Sequence, residues 1–206
     1  GDLAANLTRG NRKRPHGPTS LYNTFMRRLI VWITLFALST VGCQPTSRVH
    51  AQGTSQLTWQ VVAFSPSGGA TQLVVDTLAQ AKQTVLVQAY SFTSAPIAKA
   101  LVAAKQRGVQ VKVLLDKSQR TERCWEADVL AHAGIMVSIG AGRAIAHNKV
   151  MVIDDETVIT GSFNFTKAAE EHNAENVLAL HDAALAAQYV ANWKKHQAHS
   201  EPYTGK

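Results

Sequence analysis

The stretch AHNKVMVIDDETVITGSFNFT, residues 146–166, places reactive side chains at both ends of a short patterned segment. Two β-branched, apolar runs, residues 150–153 and 157–160, flank a polar turn and predict a β-hairpin. A histidine and a lysine precede the first run, and Gly-Ser-Phe-Asn ends the second. Because a hairpin brings its open ends side by side, we expect these groups to lie together.

Side-chain alternation along a strand predicts which of these groups share a side. His147 and Lys149 are two residues apart, as are Ser162 and Asn164, so each pair projects to one side of its strand. Lysine neutralises negative charge, serine and asparagine donate hydrogen bonds, and imidazole attacks phosphorus or moves protons. This set suits a phosphate group. Asp154 has the opposite parity and lies at the turn, so we expect it to brace the hairpin.

The spacing His-x-Lys-x-x-x-x-Asp, followed by Gly-Ser-x-Asn, resembles the signature of the phospholipase D superfamily. The similarity extends over residues 58 to about 193, where several segments resemble small exported bacterial endonucleases of that superfamily. Those segments are FSP (64–66), AYSFT (89–93), ALVAAKQRGVQVKVLLD (100–116), GSFNFTKAAE (161–170) and AEN (174–176).

The resemblance implies a role for each motif residue. His147 would be the nucleophile and would form a phosphohistidine intermediate, while Lys149 and Asn164 would hold the non-bridging phosphate oxygens. Ser162 would support the site through hydrogen bonds. Glu175, placed like the family's orienting carboxylate, would bind the second nitrogen of the histidine and fix its tautomer. The implied chemistry uses no metal and no cofactor.

The resemblance also implies a homodimer. Phosphoryl transfer through histidine needs a second group that protonates the leaving oxygen. Long members of the superfamily carry the motif twice, whereas this sequence carries it once. Two copies of His147 facing each other across a two-fold axis would supply both the nucleophile and the acid.

Further candidate substrate contacts lie outside the motif. The cations Lys117, Arg120 and Arg143 occupy predicted loops at strand ends, where they are candidates to follow a phosphate backbone. A solvated surface without a ligand is the alternative reading of such a loop. Phe92, close to the predicted mouth of the site, is a candidate to stack on an unpaired base.

Two histidines near the C-terminus form a separate candidate. His196 and His199 are three residues apart on a predicted helix and could bind a metal ion from one helical face. The sequence offers no evident third ligand, so we predict no metal site and a solvated helix end.

The chain from residue 58 onward predicts an α/β fold. Strand-like and helix-like segments alternate, and short links between them predict a single domain with a mixed, mainly parallel sheet and helices on both faces. The resemblance implies that this is a phospholipase D-like fold. Leu185, Tyr189 and Trp193 share one face of the last helix. The predicted strands cover residues 58–65, 84–90, 109–116, 135–139, 150–153, 157–160 and 177–180.

The positive charge of the chain is unevenly distributed. Residues 1–51 hold seven Lys or Arg and one Asp, whereas residues 52–206 hold fourteen Lys or Arg and thirteen Asp or Glu. Nearly all of the net charge of +7 therefore belongs to the N-terminal segment. An anion-binding site in the globular part must be local, because the protein as a whole provides no strong positive field there.

The N-terminal segment predicts export. Arg27 and Arg28 precede a largely apolar run of thirteen residues, 29–41, which is too short to cross a hydrocarbon core of about 30 Å. A charged start before a short apolar run is typical of a secretory signal peptide, here with cleavage near Ala51. Alternatives are a lipoprotein attached at Cys43 or a retained anchor.

The sequence therefore predicts three segments and one activity. Residues 1–25 would be a disordered leader, or codons upstream of a start at Met26; residues 26–51 would be a signal peptide, and residues 52–206 a nuclease domain. The mature protein, in the periplasm or secreted, would have no stable membrane span. It would be a metal-independent phosphodiesterase that cleaves DNA, or RNA, with little sequence preference. Alternatives are a phospholipase D-type lipid hydrolase and a non-catalytic nucleic-acid-binding envelope protein.

Overall fold

A computed structural model describes residues 58–120, 125–140 and 144–206, all within the unit Gln52–Lys206. The predicted leader, the signal peptide, Cys43 and Arg143 lie outside these residues. The strands are β1 (Trp59–Ser65), β2 (Thr84–Ala89), β3 (Gln110–Leu115), β4 (Met136–Gly140), β5 (Lys149–Ile153), β6 (Thr157–Gly161), β7 (Glu175–His181) and β8 (Ser200–Tyr203). The helices are α1 (Ala70–Ala79), α2 (Ala95–Gln106), α3 (Trp125–His132), α4 (Lys167–Glu171) and α5 (Ala183–Gln197), and a 3-10 helix covers Lys117–Arg120.

The strands form one mixed sheet in the order β1-β7-β6-β5-β2-β3-β4-β8. The predicted α/β class and mixed sheet are confirmed, but the expectation of a mainly parallel sheet is wrong. Only β2–β3 and β3–β4 are parallel pairs, and the other five neighbouring pairs are antiparallel. The β5–β6 hairpin lies beside β2, and each of its two strands adds an antiparallel neighbour.

Strand direction brings the ends of many strands to one edge of the sheet. The register pairs Ala89 with Lys149, and Ser65 with Glu175. The carboxyl ends of β1, β2 and β6 therefore lie beside the amino ends of β5 and β7, and the carboxyl ends of β3 and β4 follow because these strands run parallel to β2. We call this the site edge, because it carries every predicted motif residue except Asp154.

The larger core lies between the sheet and helices α1 to α4. Val111, Val113 and Leu115 of β3 all point into it, as the alternation of the sequence predicts. Val74 and Leu78 of α1 are fully buried against the same core. Burial of this apolar surface is the main force that holds these helices on the sheet.

The opposite face of the sheet is covered by α5. Trp193 is buried there, and its indole N–H donates to the Val87 carbonyl at 2.9 Å. Leu185 and Tyr189 pack beside it, as the spacing of these residues in the sequence predicts. Helices thus cover both faces of the sheet. None of the described helices is long and apolar enough to cross a bilayer.

The turn of the β5–β6 hairpin braces the sheet at the end remote from the site edge. Asp154 and Asp155 have φ values of 54° and 56°, and they are the two central, left-handed residues of the turn that the Glu156 N–H closes on the Ile153 carbonyl at 3.1 Å. The Asp154 carboxylate accepts hydrogen bonds from the backbone N–H groups of Lys82, Gln83 and Thr84 at 2.9, 2.7 and 2.9 Å. This is the bracing role predicted from its parity, at the end of the hairpin remote from the site edge.

Strand β8 has no counterpart among the predicted strands. Its four residues pair antiparallel with β4 and close that side of the sheet. Pro202 discourages a strand assignment from sequence, but an edge strand tolerates proline because one side of the strand needs no N–H donor. Tyr203 fixes the strand to α3, since its hydroxyl donates to Asp128 at 2.6 Å.

Candidate active site

His147 lies just before β5, where its backbone is held on both sides and its imidazole is exposed. The N–H of Ala146 donates to the Asp116 carboxylate at 2.6 Å, and the carbonyl of Asn148 accepts from the Tyr90 N–H at 2.8 Å. The imidazole lies against the Tyr90 ring, with centroids 4.6 Å apart and planes at 54°. The ring is thus positioned by its neighbours yet open to a substrate.

Asp116 anchors the segment that carries His147. Its buried carboxylate accepts from the N–H groups of Ala146 and Ser118, and its own N–H donates to the Ala89 carbonyl. Burial acts to raise the pKa of Asp116, but the N–H donors outweigh it and hold this pKa below its ordinary value. The contact with Ser118 is local, two residues along the chain, whereas the contact with Ala146 requires the fold.

Lys149 is a buried cation at the centre of the site edge. It is the first residue of β5, is only 6% exposed, and its Nζ donates to the His147 carbonyl at 3.0 Å. The Nζ also lies 5.2 Å from the centroid of the Tyr90 ring. Burial lowers the pKa of Lys149, and the Glu175 carboxylate offsets part of this by attraction. A buried ammonium in such a place points to an anionic ligand.

Gly161 and Ser162 join the second half of the motif to β7. Gly161 has a φ of 155°, and a Cβ on it would overlap the carbonyl oxygen of Asn176, so only glycine fits. Ser162 Oγ accepts from the backbone N–H of Asn176 at 3.1 Å and from its side-chain Nδ2 at 3.4 Å. Because the hydroxyl accepts both bonds, its own proton remains available for donation.

Asn164 and Glu175 complete the set at the same edge. The Oδ1 atom of Asn164 is buried and has no hydrogen-bond partner among the described residues. An unpaired buried acceptor costs stability, and the Nδ2 group of the same carboxamide is the part that could donate to a phosphate. Glu175 Oε1 accepts from the Asn173 side chain at 3.2 Å, and no hydrogen bond joins Glu175 to His147 in this structure. The contact implied by the resemblance stays a prediction.

The candidate substrate contacts have different outcomes. Lys117 is exposed at the site edge. Arg120 is also exposed, but its guanidinium lies 2.6 Å from the Glu201 carboxylate, so this ion pair competes with a phosphate. Arg143 lies outside the described residues, and its predicted role stays open.

The prediction for Phe92 is wrong. Its side chain is fully buried and packs edge-to-face against Phe165, with ring centroids 6.5 Å apart. A short β-bridge between these two residues holds the loops after β2 and β6 together. Phe92 therefore stabilises the floor of the site and presents no face to a base.

Tyr90 is the contact that the sequence did not single out. It follows strand β2 directly and lies within the AYSFT segment, which was the available signal. In the structure its half-buried ring touches both the imidazole of His147 and the ammonium of Lys149. No group of three or more His, Cys, Asp or Glu side chains in the described ranges is placed to hold a metal ion.

The sequence and the structure have clear relatives. A family model for the cardiolipin synthase, PLD-like domain matches residues 74–196. A phospholipase D of Rickettsia bellii (strain RML369-C) is 41% identical over 156 residues, which cover 75% of this chain and 78% of the relative. A mitochondrial cardiolipin hydrolase of Chlamydomonas reinhardtii is 30% identical over 121 residues, 59% of this chain and 54% of the relative.

Among solved structures, Nuc from Salmonella typhimurium, a phospholipase D family member, superposes with a TM-score of 0.69 and 39% sequence identity. The match covers 70% of this chain and 97% of Nuc. The family match, the identities and the fold agree with the motif gathered at the site edge. The chain belongs to the phospholipase D superfamily of enzymes that hydrolyse phosphodiester bonds.

Proposed function

We propose that this enzyme is a metal-independent endonuclease that cleaves nucleic-acid phosphodiesters through a phosphohistidine on His147. The observation that carries the proposal is the pairing of an exposed imidazole with a buried ammonium, both in contact with the ring of Tyr90. The imidazole is free to reach phosphorus, while the ammonium of Lys149 offers positive charge in an environment where little water screens it.

The first step forms a bond between one imidazole nitrogen of His147 and phosphorus, and breaks the bond between phosphorus and the leaving ester oxygen. That oxygen takes a proton from an acid, which we propose is the imidazolium of the second subunit. In the second step water attacks phosphorus, its proton passes to that imidazole, and the phosphorus–nitrogen bond breaks. Both histidines then return to their starting protonation states.

Charge stabilisation is assigned to the remaining motif residues. Lys149 faces the non-bridging oxygens as a point charge, and the Asn164 carboxamide and the Ser162 hydroxyl donate hydrogen bonds to them. Glu175 attracts the ammonium of Lys149 already and is close enough to the site edge to orient His147 when substrate binds. No step requires a divalent ion, because these donors meet the charge that develops.

The dimer that supplies the second histidine has a candidate surface. Val62 and Phe64 of β1 are 50% and 60% exposed, and they lie on the sheet face opposite helices α1 to α4. Phe64 pairs with Asn176, the residue that holds Ser162, so this apolar strip adjoins the site edge. We propose that a second copy covers this strip in the orientation that brings its own His147 to the first.

Nucleic acid is preferred to lipid as the substrate. The quoted segments resemble small bacterial endonucleases, and the likeness to Nuc spans nearly the whole of that chain. The lipid alternative has its own support, since the relatives at 41% and 30% identity are named phospholipase D and mitochondrial cardiolipin hydrolase. The substrate therefore has to be decided by experiment.

The purified protein should be incubated with plasmid DNA, RNA and phosphatidylcholine vesicles in excess EDTA. We expect cleavage of nucleic acid and a covalent phosphorus adduct on His147 after acid quenching, and His147→Asn should bind DNA without cleaving it. Turnover of lipid alone would favour the phospholipase, and DNA binding without cleavage by either protein would favour the envelope binding protein. Activity lost on chelation and restored by a divalent ion would refute the metal-free route.

Mixed dimers test the shared site. Co-expressed, differently tagged wild-type and His147→Ala chains should give a heterodimer with almost no activity, because it lacks either the nucleophile or the acid. The control is a dimer of two wild-type chains that carry different tags and is purified through both tags in the same way. Substantial activity of the purified heterodimer would show that one chain holds a complete site.

We also propose export, on the basis of the paired arginines before a short apolar run and the small residues near Ala51. Fractionation of cells, followed by N-terminal sequencing of the mature protein, tests cleavage there against lipid attachment at Cys43.

A further inference from the structure

A recess opens beside the active site on the sheet face covered by α5. Its innermost space is about 20 Å³, enough for one group the size of a water molecule. We call it the α5 recess, and the lining residues that matter here are Gln88, Asp116, Lys117, Ala146, His196 and His199.

Gln88 is an unsatisfied donor in the wall of this recess. The side chain is 3% exposed, and its Nε2 has no hydrogen-bond partner among the described residues. A buried amide N–H without an acceptor costs roughly 1–3 kcal/mol of stability. The amide is therefore a marker for an acceptor oxygen that enters the recess from outside.

The rim of the recess carries positive charge. Lys117 contributes an exposed ammonium from the start of the 3-10 helix, and His196 and His199 lie at the carboxyl end of α5. Asp116 also lines the recess, but its oxygens already accept hydrogen bonds from the N–H groups of Ser118 and Ala146.

The recess and the candidate active site share a wall. Ala146 lines the recess and directly precedes His147, and Ala89 lines it while pairing with Lys149 across the sheet. Neighbouring phosphates of one nucleic-acid strand are joined through a single sugar. Because Ala146 is adjacent to His147 in the chain, the recess lies on the path of the strand next to a phosphate held over His147.

We propose that the α5 recess binds a second phosphate of the strand being cleaved. One non-bridging oxygen accepts from Gln88 Nε2 in the innermost space, while Lys117 and the two histidines face the remaining charge at the rim. This inference rests on the proposed nuclease function and deepens it. It explains how a small enzyme without a base-reading motif would favour a chain of phosphodiesters over an ester with a single phosphate.

Two substrates separate the recess from the reacting centre. A short oligothymidylate carries neighbouring phosphates, whereas bis(p-nitrophenyl) phosphate carries one. We expect KM for the oligonucleotide to rise about five- to tenfold in the double variant Lys117→Gln/His199→Gln, and by as much in Gln88→Met. This is the effect of losing a charged hydrogen bond. The kcat/KM for the nitrophenyl ester should not change. Lys194→Gln removes one charge from the same helix outside the recess and is the matched control.

Binding provides an independent measurement. The salt dependence of oligonucleotide affinity should weaken by about 0.7 in logarithmic slope in Lys117→Gln, as expected for the loss of one phosphate contact on a single strand. Gln88→Met should lower affinity without lowering the midpoint of thermal unfolding, because it removes an unsatisfied donor. A structural role alone predicts loss of stability instead.

The outcomes distinguish this inference from the proposed function. Hydrolysis of the ester by all variants, with oligonucleotide affinity and KM unchanged, would overturn the recess as a phosphate site and leave the chemistry of His147 standing. Equal losses on both substrates would overturn it as well. If the unaltered protein hydrolyses neither substrate but its oligonucleotide affinity falls in the recess variants, the proposed catalysis fails and the recess is supported.

Discussion

At the scale of single residues, Lys149 shows the sharpest conflict between charge and environment. Its ammonium is buried, and the attraction of Glu175 offsets only part of the resulting fall in its pKa. The position is valuable because a charge out of water acts strongly on a bound phosphate. Burial also lowers the pKa of Lys149 and reduces the stability of the folded state.

The first prediction concerns the alkaline limb of the pH–activity profile. Glu175→Gln removes the attraction that raises the pKa of Lys149, so Lys149 loses its proton at a lower pH and the alkaline limb of kcat/KM moves to lower pH. Profiles of wild type, Glu175→Gln and the control Glu171→Gln, which alters an exposed glutamate on α4, measure the shift. A limb that stays in place or moves to higher pH would contradict the assignment.

The second prediction concerns stability. Lys149→Met should abolish cleavage yet raise the free energy of unfolding at neutral pH by about 1 kcal/mol, because no ammonium is then buried. A lysine pKa lowered in the folded state means that the unfolded state binds more protons between that pKa and 10.5, so wild-type stability rises with pH in this window. Urea titrations at several pH values should show that rise in wild type and not in Lys149→Met.

The third prediction concerns Tyr90. Its ring contacts the two residues that are assigned to react with and bind the phosphate, so Tyr90→Leu should lower kcat up to about tenfold, the size of a lost cation–π contact. Tyr90→Phe keeps the ring and should keep most of the activity. Single-turnover kinetics of both variants provide the measurement. Similar losses in the two variants would assign the effect to the hydroxyl instead.

At the scale of elements, the β5–β6 hairpin has two ends with separate tasks. Its open end contributes to the site edge, while Asp154 in its turn accepts three backbone hydrogen bonds at the start of β2. The open end of the hairpin is thus assigned to phosphate chemistry. The turn at the other end, through Asp154, holds the start of β2 in place.

The fourth prediction separates these tasks. Asp154→Gly should lower the free energy of unfolding by about 2 kcal/mol, because three N–H groups lose a charged acceptor, while the kcat of the folded enzyme stays unchanged. Asp155→Gly is the matched control, since glycine accepts the positive φ at both positions. Urea denaturation and activity assays measure both effects. Equal stability of the two variants would show that the carboxylate contributes little.

The sequence predicted the elements well where the hydrophobic periodicity extends over a whole strand or helix. The alternation in β3 and the apolar face of α5 gave the correct inward residues. Strand β8 was missed because four residues that include Pro202 carry no clear period, and its pairing depends on β4, which is distant in sequence. The predominance of antiparallel pairs was missed because strand order is a property of the assembled sheet.

At the scale of the whole molecule, the single copy of the motif contributes one imidazole, that of His147, to a proposed reaction that needs both a nucleophile and an acid. The exposed strip of Val62 and Phe64 adjoins the site edge, and a second copy there would complete the site. Dimerisation and catalysis should therefore depend on the same surface.

The fifth prediction tests that dependence. Phe64→Lys places a charge in the strip and should convert the protein to monomers that are folded but at least about a hundredfold less active, as expected when a general acid is lost. Trp125→Lys, at a side chain on α3 that is 68% exposed, is the control and should remain dimeric. Sedimentation velocity and plasmid cleavage, measured at the same protein concentration, provide the readouts. Fully active monomers would refute the shared site.

The sequence by itself determined which residues are candidates for the chemistry, because motif spacing and strand parity are local and need no knowledge of the fold. It placed His147, Lys149, Ser162 and Asn164 together and directed Asp154 elsewhere. Only the tertiary structure decided which side chains surround them. The burial of Phe92, the contact of Tyr90 with both reactive groups and the unpaired amide of Gln88 arise from segments far apart in sequence, whose packing no local pattern encodes.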